Sequence, residues 1–257
     1  MFRPITDSWL LADALRDEPL VSGGSVLDLC TGSGVLAVTA GTCGARRVLA
    51  VDVSRRALLC AVLSGAINRA RVRARRGDLF AAVAGRRFDV IVCNPPYVPG
   101  AAQLPRRGAQ RAWEAGPTGR AFLDRICRQA PAHLNPGGVV LLVHSRVCGE
   151  ERTLAALRAG GLEAEVVRRH SGTLGPRLRE RAEWLRRRGM LEGDRDELIV
   201  VRGQAQRAGY QPPRQSTLAA RRRAAAIFAC LRRSSRHWMS EKTMMIVGKK
   251  MITRYIA

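Results

Sequence analysis

Long apolar runs, acidic residues and aromatic residues are all scarce in this 257-residue sequence. The longest apolar run, residues 224–231, has eight residues, whereas a membrane-spanning helix needs roughly 20. Aromatic residues make up 5% of the chain, but the hydrophobic share of 46% is that of an ordinary globular protein. These values exclude membrane-spanning, fibrous and intrinsically disordered proteins, and they predict a soluble chain with a packed core.

Paired metal ligands are also missing from the sequence. The seven cysteines include no C-x-x-C pair, and no histidine lies near them at the spacing of a zinc site. We therefore expect no metal centre. Cys30 and Cys93 lie inside apolar runs, where a thiol behaves as a small hydrophobic side chain. Because no secretory signal pattern opens the chain, we expect a reducing, cytoplasmic environment.

Lysine is absent from the first 241 residues, and the basic residues are unevenly placed. The chain has 44 basic and 21 acidic residues, which gives a net charge of +23. Residues 204–257 contain 12 of the basic residues, all three lysines and a single acid, Glu241. We predict a domain over residues 1–203 and a basic extension over residues 204–257 that is disordered or loosely helical. The surplus charge favours an acidic partner, either nucleic acid or an acidic protein surface.

Short β-type runs alternate with helical patterns as far as residue 203, which is typical of an α/β protein with helices on both faces of a sheet. The predicted strands are 25–30, 47–53, 73–79, 88–94, 139–144, 164–170 and 197–202. The predicted helices are 7–16, 35–43, 54–68, 120–134, 150–159 and 176–188. The connection over residues 95–119 is rich in glycine, proline and arginine, and its length predicts either a disordered loop or a lid.

A buried strand ends in a small-residue turn at residues 26–34, VLDLCTGSG, and continues into a helix. Glycines at Gly32 and Gly34 let a ligand approach the backbone closely. The third glycine of the dinucleotide fingerprint is replaced by Ala37, and Asp28 precedes the turn. A carboxylate at this place suits a ligand with an amino group or a positive charge better than a pyrophosphate.

Two further carboxylates lie at the ends of the next two predicted strands. Asp52 lies 24 positions after Asp28, close to the roughly 20-residue spacing at which a carboxylate meets ribose hydroxyls in doubly wound folds. Asp78 ends the third predicted strand. Because ligands bind at the carboxyl ends of such strands, the three acids predict one nucleoside-binding cleft.

The fourth predicted strand delivers Asn94-Pro95-Pro96-Tyr97 to the same edge of the sheet. In this order, DLCTGSG, VDV, GDL and NPPY resemble the class I S-adenosylmethionine-dependent methyltransferases. The resemblance implies a Rossmann-like fold with a seven-stranded, mostly parallel sheet whose last strand is antiparallel. It also implies that the methionine end of the cofactor lies over the glycine turn, with ribose and adenine near the second and third acids. The implied cofactor-binding residues are Ser8, Asp28, Cys30, Gly32, Gly34, Asp52, Asp78, Leu79 and Asn94.

The tetrapeptide suits transfer to a planar amino group. The Asn94 side-chain oxygen and the Pro95 carbonyl can each accept one N–H of an –NH2 group, which aims the nitrogen at the methyl group. The two prolines stiffen the backbone, and Tyr97 can lie against a planar substrate. We expect Asn94, Pro95 and Tyr97 to be the catalytic residues, and the reaction demands no strong general base.

The N-P-P-Y form is shared by enzymes that methylate adenine N6, guanine N2 or the glutamine amide, so the motif alone leaves the substrate open. The opening residues Pro4, Asp7-Ser8 and LLADAL at 10–15, together with WEAGPTGR at 113–120, resemble the short HemK-like glutamine methyltransferases. The resemblance covers roughly residues 3–203 and implies a peptide chain release factor as substrate, methylated on the glutamine of its Gly-Gly-Gln motif. RNA or DNA is the alternative.

Two other partners follow from charge and from the resemblance. Arg106, Arg107 and Arg111 in the 95–119 connection can meet an acidic protein surface or RNA phosphates, and the basic extension is a second place for nucleic acid. Short eukaryotic members of the HemK-like family work with a small zinc-binding activator subunit. Whether this chain needs such a subunit is left open.

Overall fold

A seven-stranded sheet forms the centre of the computed structural model, which describes residues 6–100, 104–105 and 108–206. Its strands are β1 (Ser25–Leu29), β2 (Arg47–Asp52), β3 (Val72–Arg76), β4 (Phe88–Cys93), β5 (Leu134–Ser145), β6 (Leu162–Thr173) and β7 (Arg195–Ala205). Across the sheet they lie in the order β3-β2-β1-β4-β5-β7-β6. Strands β1 to β5 pair in parallel, whereas β7 is antiparallel to both β5 and β6. The predicted Rossmann-like fold is confirmed.

Helices cover both faces of this sheet. They are α1 (Thr6–Arg16), α2 (Val35–Thr42), α3 (Arg55–Ile67), α4 (Leu123–Gln129), α5 (Glu150–Ala159), α6 (Pro176–Arg179) and α7 (Ala182–Arg187). Side chains alternate between the faces along each strand. In β1, for example, Val26 packs in the cluster with α1 and α2, whereas Leu27 and Leu29 pack in the cluster with α4 and α5. Because both faces are buried, the central strands are mainly apolar, with Asp28 in β1 and Asp89 in β4 as exceptions.

Several predicted boundaries are wrong, each for a local reason. The third strand ends at Arg76, so Asp78 lies in the turn after it, and Leu79 begins a short 3-10 helix with a φ of +48°. The helix predicted over 120–134 covers only α4 and passes into a 3-10 turn at 130–133, where Pro131 supplies no backbone N–H.

The C-terminal elements also differ from prediction. The helix predicted over 176–188 is two short helices, α6 and α7, because Arg181 leaves the helical conformation at a φ of −115°. Strands β6 and β7 are longer than predicted, since they continue to pair with each other from Thr173 and Arg195 to Leu162 and Ala205.

The amino-terminal edge of the central strands is closed by Asp89. Its Oδ2 accepts hydrogen bonds from the backbone N–H and the hydroxyl of Ser25, both at 2.8 Å, and its Oδ1 accepts one from Asn135. Partial burial raises the pKa of Asp89, but these hydrogen bonds outweigh it and lower the pKa overall. The acid therefore joins β1, β4 and β5 at the end of the sheet opposite the predicted cleft.

The turn between β1 and α2 depends on glycine. Gly32 and Gly34 have φ values of +53° and +83°, a region that glycine enters without the steric cost of a Cβ atom. A Cβ on Gly34 would lie 2.5 Å from the Cα of Ala61 in α3, so α3 packs directly against the turn. A Cβ on Gly32 would meet nothing nearer than the Cys30 carbonyl oxygen at 3.8 Å.

The division into two domains stays a prediction. The expected boundary at residue 203 falls within β7, which continues to Ala205, and residues 207–257 of the extension lie outside the described residues. Arg106 and Arg107 of the 95–119 connection also lie outside them, whereas Arg111 is described and exposed. No helix among the described residues combines the length and apolar character that crossing a membrane requires.

Replacement of Gly34 by alanine should destabilise the fold more than the same change at a roomy turn. Gly34→Ala adds the steric cost of a positive φ to a clash with Ala61, about 2–4 kcal/mol in all. Gly85→Ala is the matched control, because Gly85 has a φ of +71° with no atom within 4 Å of the added Cβ, and its cost should be about 1 kcal/mol. Urea unfolding of the three proteins measures the difference, and equal free energies of unfolding would contradict the packing described here.

Candidate active site

The carboxyl ends of three neighbouring strands, β2, β1 and β4, meet at one edge of the sheet. Leu29 of β1 is in register with Val51 of β2 and with Cys93 of β4. The next residues along these strands are Cys30, Asp52 and Asn94, so the glycine turn, the second acid and the reactive tetrapeptide begin side by side. The structure therefore brings the predicted cofactor and acceptor motifs to a common edge.

Asp28 stabilises the glycine turn through hydrogen bonds. The residue is fully buried, and its Oδ2 accepts hydrogen bonds from the Thr31 hydroxyl at 2.6 Å and from the Ala37 backbone N–H at 3.1 Å. These bonds join the end of β1 to the first turn of α2. The Oδ1 atom of Asp28 is also buried and has no hydrogen-bond partner among the described residues.

Burial dominates the titration of Asp28. Removal from water raises its pKa from 3.8 to about 7, although the hydrogen bonds from Thr31 and Ala37 lower it in part. Near neutral pH the carboxyl group therefore exists in both protonation states, and a cationic group placed near it would favour the ionised form.

Asp52 also stabilises the glycine turn, through a hydrogen bond from Gly32. Its Oδ2 accepts a hydrogen bond from the Gly32 backbone N–H at 3.1 Å, and its Oδ1 accepts one from the Ser54 N–H at 2.8 Å. The side chain is partly exposed, so each oxygen keeps a lone pair for a further donor. A carboxylate in this position can accept hydrogen bonds from the hydroxyl groups of a ribose.

The glycine turn fits a cofactor of the predicted kind on structural grounds. An unpaired buried oxygen on Asp28 and open space at the Cβ position of Gly32 are both features that a ligand would complete. Cys30 is partly exposed and adopts a positive φ of +56°, which turns the chain over this space. No cluster of three or more metal-ligating side chains occurs in the described part of the chain.

The third acid is engaged in an ion pair. Asp78 accepts hydrogen bonds from the Arg125 guanidinium of α4, at 2.7 Å to its Oδ2 and 3.4 Å to its Oδ1. The neighbouring Leu79 is buried in the core with Phe80. Asp78 therefore stands beyond the end of β3 with its carboxylate already paired, and its role toward an adenine amino group stays a prediction.

Asn94 and Pro95 present two unused acceptors. The Asn94 Nδ2 donates a hydrogen bond to the Ser8 Oγ at 3.1 Å. No donor within the described residues reaches the Asn94 Oδ1 or the Pro95 carbonyl oxygen. The adjoining Cys93 is fully buried, and burial, followed by contact with the Cys30 thiol, raises its pKa well above the ordinary value. Cys93 therefore stays a protonated thiol and is not a nucleophile.

Tyr97 is held at both of its polar ends. Its hydroxyl donates a hydrogen bond to the Asp7 Oδ2 at 2.8 Å, and its carbonyl oxygen accepts one from the Cys148 thiol at 3.0 Å. Burial, and then the charge of Asp7, raise the pKa of Tyr97 well above its ordinary value. Tyr97 is 9% exposed, so little of its surface is left to meet a substrate.

Comparison with known proteins settles the family. The family described as methyltransferase small domain matches residues 6–167. The chain belongs to this family. A Methanocaldococcus jannaschii protein whose name assigns it as a protein N5-glutamine methyltransferase is 32% identical over 170 residues, which cover 66% of this chain and 84% of the relative. The predicted resemblance to methyltransferases is confirmed.

Other proteins are also similar to this methyltransferase. The mouse methyltransferase HEMK2 is 30% identical over 65% of this chain and 82% of its own length. A ribosomal protein uL3 glutamine methyltransferase of Bradyrhizobium diazoefficiens is 42% identical, but over only 49% of this chain and 42% of its own length. Among solved structures, a complex of E. cuniculi Mtq2 with Trm112 contains a chain that matches this one with a TM-score of 0.55 at 22% identity. The match covers 79% of this chain and 98% of the matched chain. That likeness shows the fold.

The tetrapeptide of this methyltransferase rests on its own small core. Tyr97 and Val98 pack with Leu123, Cys148 and residues of the β6–β7 connection, a group we call the acceptor-side cluster; its other buried members are Leu174, Leu178, Ala182, Leu185 and Leu191. The cluster lies directly beneath the reactive loop. The sequence patterns did not predict it, because its buried members come from four separate segments of the chain.

A buried arginine, Arg120, holds Cys148 of this cluster. The Arg120 side chain is 1% exposed and donates to the carbonyl oxygens of Cys148 and Gly149 at 2.6 and 3.1 Å and to the Thr153 hydroxyl at 3.0 Å. It also pairs with Asp124. Because Cys148 in turn contacts the Tyr97 carbonyl, Arg120 supports the reactive loop from two contacts away.

The described parts of the 95–119 connection are tied to the rest of the domain. Val98 and Glu114 form a β-bridge, and Glu114 pairs with Arg181. The Arg177 guanidinium lies 4.1 Å from the centre of the Trp113 ring. The sequence predicts either a disordered loop or a lid for this connection. Its described residues 108–119 are held beside the tetrapeptide by these contacts, and we call them the anchored arm. The WEAGPTGR match was the only sequence signal for these contacts.

The pKa of Asp28 predicts a specific pH dependence of stability. Unfolded Asp28 ionises near pH 4 and the folded residue near pH 7, so between these values the folded state binds more protons and its stability falls as pH rises. Asp28→Asn removes this slope. The stability of the variant relative to the natural chain should increase by about 3–4 kcal/mol from pH 4 to pH 8.

Thermal unfolding of the natural chain and of Asp28→Asn between pH 4 and pH 8 measures this change in stability. Asp13→Asn, which replaces an exposed acid, is the control. A difference for Asp28→Asn that does not change with pH would show that the pKa of Asp28 is the same in the folded and unfolded states.

Proposed function

We propose that this methyltransferase transfers a methyl group from S-adenosylmethionine to the side-chain amide nitrogen of a glutamine in a protein of the translation machinery, with a peptide chain release factor as the first candidate. The observation that carries the proposal is the pair of unused acceptors, the Asn94 Oδ1 and the Pro95 carbonyl, at the edge that also holds the glycine turn. Relatives named as glutamine methyltransferases support the choice of an amide.

The acceptor pair selects a primary amide or amine. Such a group has two N–H donors, and one can bond to the Asn94 Oδ1 and the other to the Pro95 carbonyl. This fixes the plane of the group and points the face of its nitrogen into the cleft. An amide nitrogen is a poor nucleophile, because its lone pair is delocalised into the carbonyl, and the gain from orientation is correspondingly large.

The residues of the glycine turn fit S-adenosylmethionine. Asp52 would accept hydrogen bonds from the ribose hydroxyls, and the ionised form of Asp28 would favour the positive charge of the methionine end. Gly32 leaves room for the backbone to approach the ligand. When bound, the cofactor supplies an electrophilic methyl group on a positively charged sulfur.

The protein's own part in the reaction is orientation and exclusion of water. As a bond forms between nitrogen and the methyl carbon, the carbon–sulfur bond breaks and the nitrogen acquires positive charge. The Asn94 and Pro95 oxygens stabilise that charge on the N–H groups, and one proton is then lost to water. Tyr97 and the buried prolines keep solvent from the acceptor side.

Two partner assignments and a cellular location accompany the proposal. The protein substrate is a release factor, and ribosomal protein uL3 is the comparison suggested by the names of relatives. A zinc-binding activator subunit is a candidate because the Mtq2 structure was solved with Trm112. We place the reaction in the cytoplasm, supported by three buried, unbridged thiols, Cys93, Cys127 and Cys148.

A direct assay separates the possible substrates. The full chain is incubated with cofactor labelled on the methyl group and, in parallel, with a release factor, ribosomal protein uL3, ribosomal RNA or DNA. We expect label in a glutamine of the release factor, located by mass spectrometry of its peptides. Label confined to RNA or DNA would reject the proposal in favour of a nucleic-acid amino methyltransferase acting on adenine N6 or guanine N2.

Asn94→Ala should greatly reduce turnover while leaving cofactor binding nearly unchanged. Loss of one oriented acceptor removes alignment of the nitrogen, and we expect kcat to fall by about 100-fold or more. Asn68→Ala, which changes an asparagine at the end of α3, is the control and should keep normal turnover. Near-normal kcat in Asn94→Ala would remove Asn94 from the acceptor pair.

Asp52→Ala should weaken cofactor binding by about tenfold or more, since it removes a charged hydrogen-bond acceptor. Glu163→Ala removes an equal charge at the opposite end of the sheet and should bind the cofactor normally. Isothermal titration calorimetry compares the dissociation constants, and an unaltered value for Asp52→Ala would place the ribose elsewhere.

A further inference from the structure

Two residues at the start of α1 contact the reactive tetrapeptide. Asp7 and Ser8 are 2% and 4% exposed. The Ser8 Oγ accepts a hydrogen bond from the Asn94 Nδ2 at 3.1 Å, and the Asp7 Oδ2 accepts one from the Tyr97 hydroxyl at 2.8 Å. The first turn of α1 thus touches both polar side chains of the tetrapeptide, across 86 and 90 residues of sequence.

The hydrogen bonds of this group have a fixed direction. A carboxylate can only accept hydrogen bonds. The Ser8 hydroxyl donates to the Asp7 Oδ1 at 3.1 Å, and the Ser8 backbone N–H donates to the same atom at 2.5 Å. Since its one hydroxyl hydrogen is directed to Asp7, Ser8 has only lone pairs left for Asn94. The amide nitrogen of Asn94, not its oxygen, must therefore face Ser8.

The orientation of the Asn94 amide decides what the cleft offers to a substrate. With the nitrogen on Ser8, the Oδ1 is available to accept an N–H of an incoming –NH2 group. A rotation of the amide by half a turn would place its NH2 group against the NH2 group of the substrate. Two donors would then face each other, and the acceptor pair with the Pro95 carbonyl would be lost.

We propose that Asp7 and Ser8 are positioning residues, which hold the Asn94 amide with its oxygen toward the substrate and anchor the Tyr97 ring beside it. The inference rests on the proposed function, since it explains how the acceptor pair is kept ready. Among the described residues, the Asp7 carboxylate accepts hydrogen bonds only from Ser8 and Tyr97. The hydrogen bonds of this carboxylate within the described chain are thus confined to the group that holds the tetrapeptide.

Asp7→Asn tests the direction of the hydrogen bonds. An asparagine at position 7 can donate to Ser8, which frees the Ser8 hydroxyl to donate to Asn94 and turns the Asn94 oxygen away from the cleft. We expect kcat with a glutamine-containing substrate to fall about 10- to 100-fold while the cofactor dissociation constant changes less than about twofold. Asp13→Asn changes an exposed acid on the same helix and should keep normal turnover.

Ser8 variants separate the hydroxyl from simple packing. Ser8→Thr keeps the hydroxyl and should retain most of the turnover, whereas Ser8→Ala should lose it. In an Asn94→Ala, Tyr97→Phe background, Asp7→Asn should have no further effect on kcat, because the groups that it positions are already gone. An equal additional loss in that background would overturn the inference and indicate a purely structural role.

A spectroscopic measurement tests the same inference without turnover. The chain has three asparagines, Asn68, Asn94 and Asn135, so selective ¹⁵N-asparagine labelling gives three side-chain amide signal pairs, and Asn94→Ala identifies the pair of Asn94. In Asp7→Asn that pair should shift and lose protection from hydrogen exchange, while the pairs of Asn68 and Asn135 stay unchanged.

The two measurements distinguish the two proposals. An unchanged Asn94 pair in Asp7→Asn would overturn the positioning role whatever the substrate is. A changed Asn94 pair, combined with no methylation of any glutamine substrate by the natural chain, would support the positioning role and reject the proposed function.

Discussion

The parallel register of β2, β1 and β4 is the constraint on which the site depends. Parallel neighbours end at the same edge of a sheet, so the residues that follow Val51, Leu29 and Cys93 must begin together. Hydrogen bonds of the turn reinforce this, since the Thr31 N–H donates to the Val51 carbonyl and the Gly32 N–H to Asp52. A shift of register in any of these strands would separate the cofactor turn from the acceptor loop.

The pKa values of Asp89 and Asp28 move in opposite directions because the surroundings of the two carboxylates differ. Asp89 receives several hydrogen bonds, which lower its pKa and let it join three strands as an anion. Asp28 is deeper and has a buried oxygen without a protein partner, so burial raises its pKa to about 7. The closed, amino-terminal edge is therefore satisfied by the protein alone, whereas the carboxyl-terminal edge has hydrogen-bonding capacity left for a ligand.

Rigidity of the acceptor loop comes from packing as much as from proline. Tyr97 is buried in the acceptor-side cluster, and Arg120 reaches that cluster through Cys148. The anchored arm, held through Glu114 and Arg181, adds a second wall. Methyl transfer between two oriented groups needs little acid–base chemistry. The packing of this domain therefore serves mainly to hold the Asn94 and Pro95 oxygen atoms in place.

Sequence periodicity and spacing alone determined the alternating strands and helices, the glycine turn, the acids Asp28 and Asp52 near the ends of β1 and β2, and the Asn94–Tyr97 loop. These are local features: buried parallel strands are continuous apolar runs, and a turn with positive φ requires glycine. Only the tertiary structure decided that Asp78 pairs with Arg125, that a third cluster supports Tyr97, and that Asp7 and Ser8 meet the tetrapeptide. These contacts join side chains 47 to 90 residues apart, and no local pattern encodes a hydrogen bond whose two partners become neighbours only when the sheet is complete.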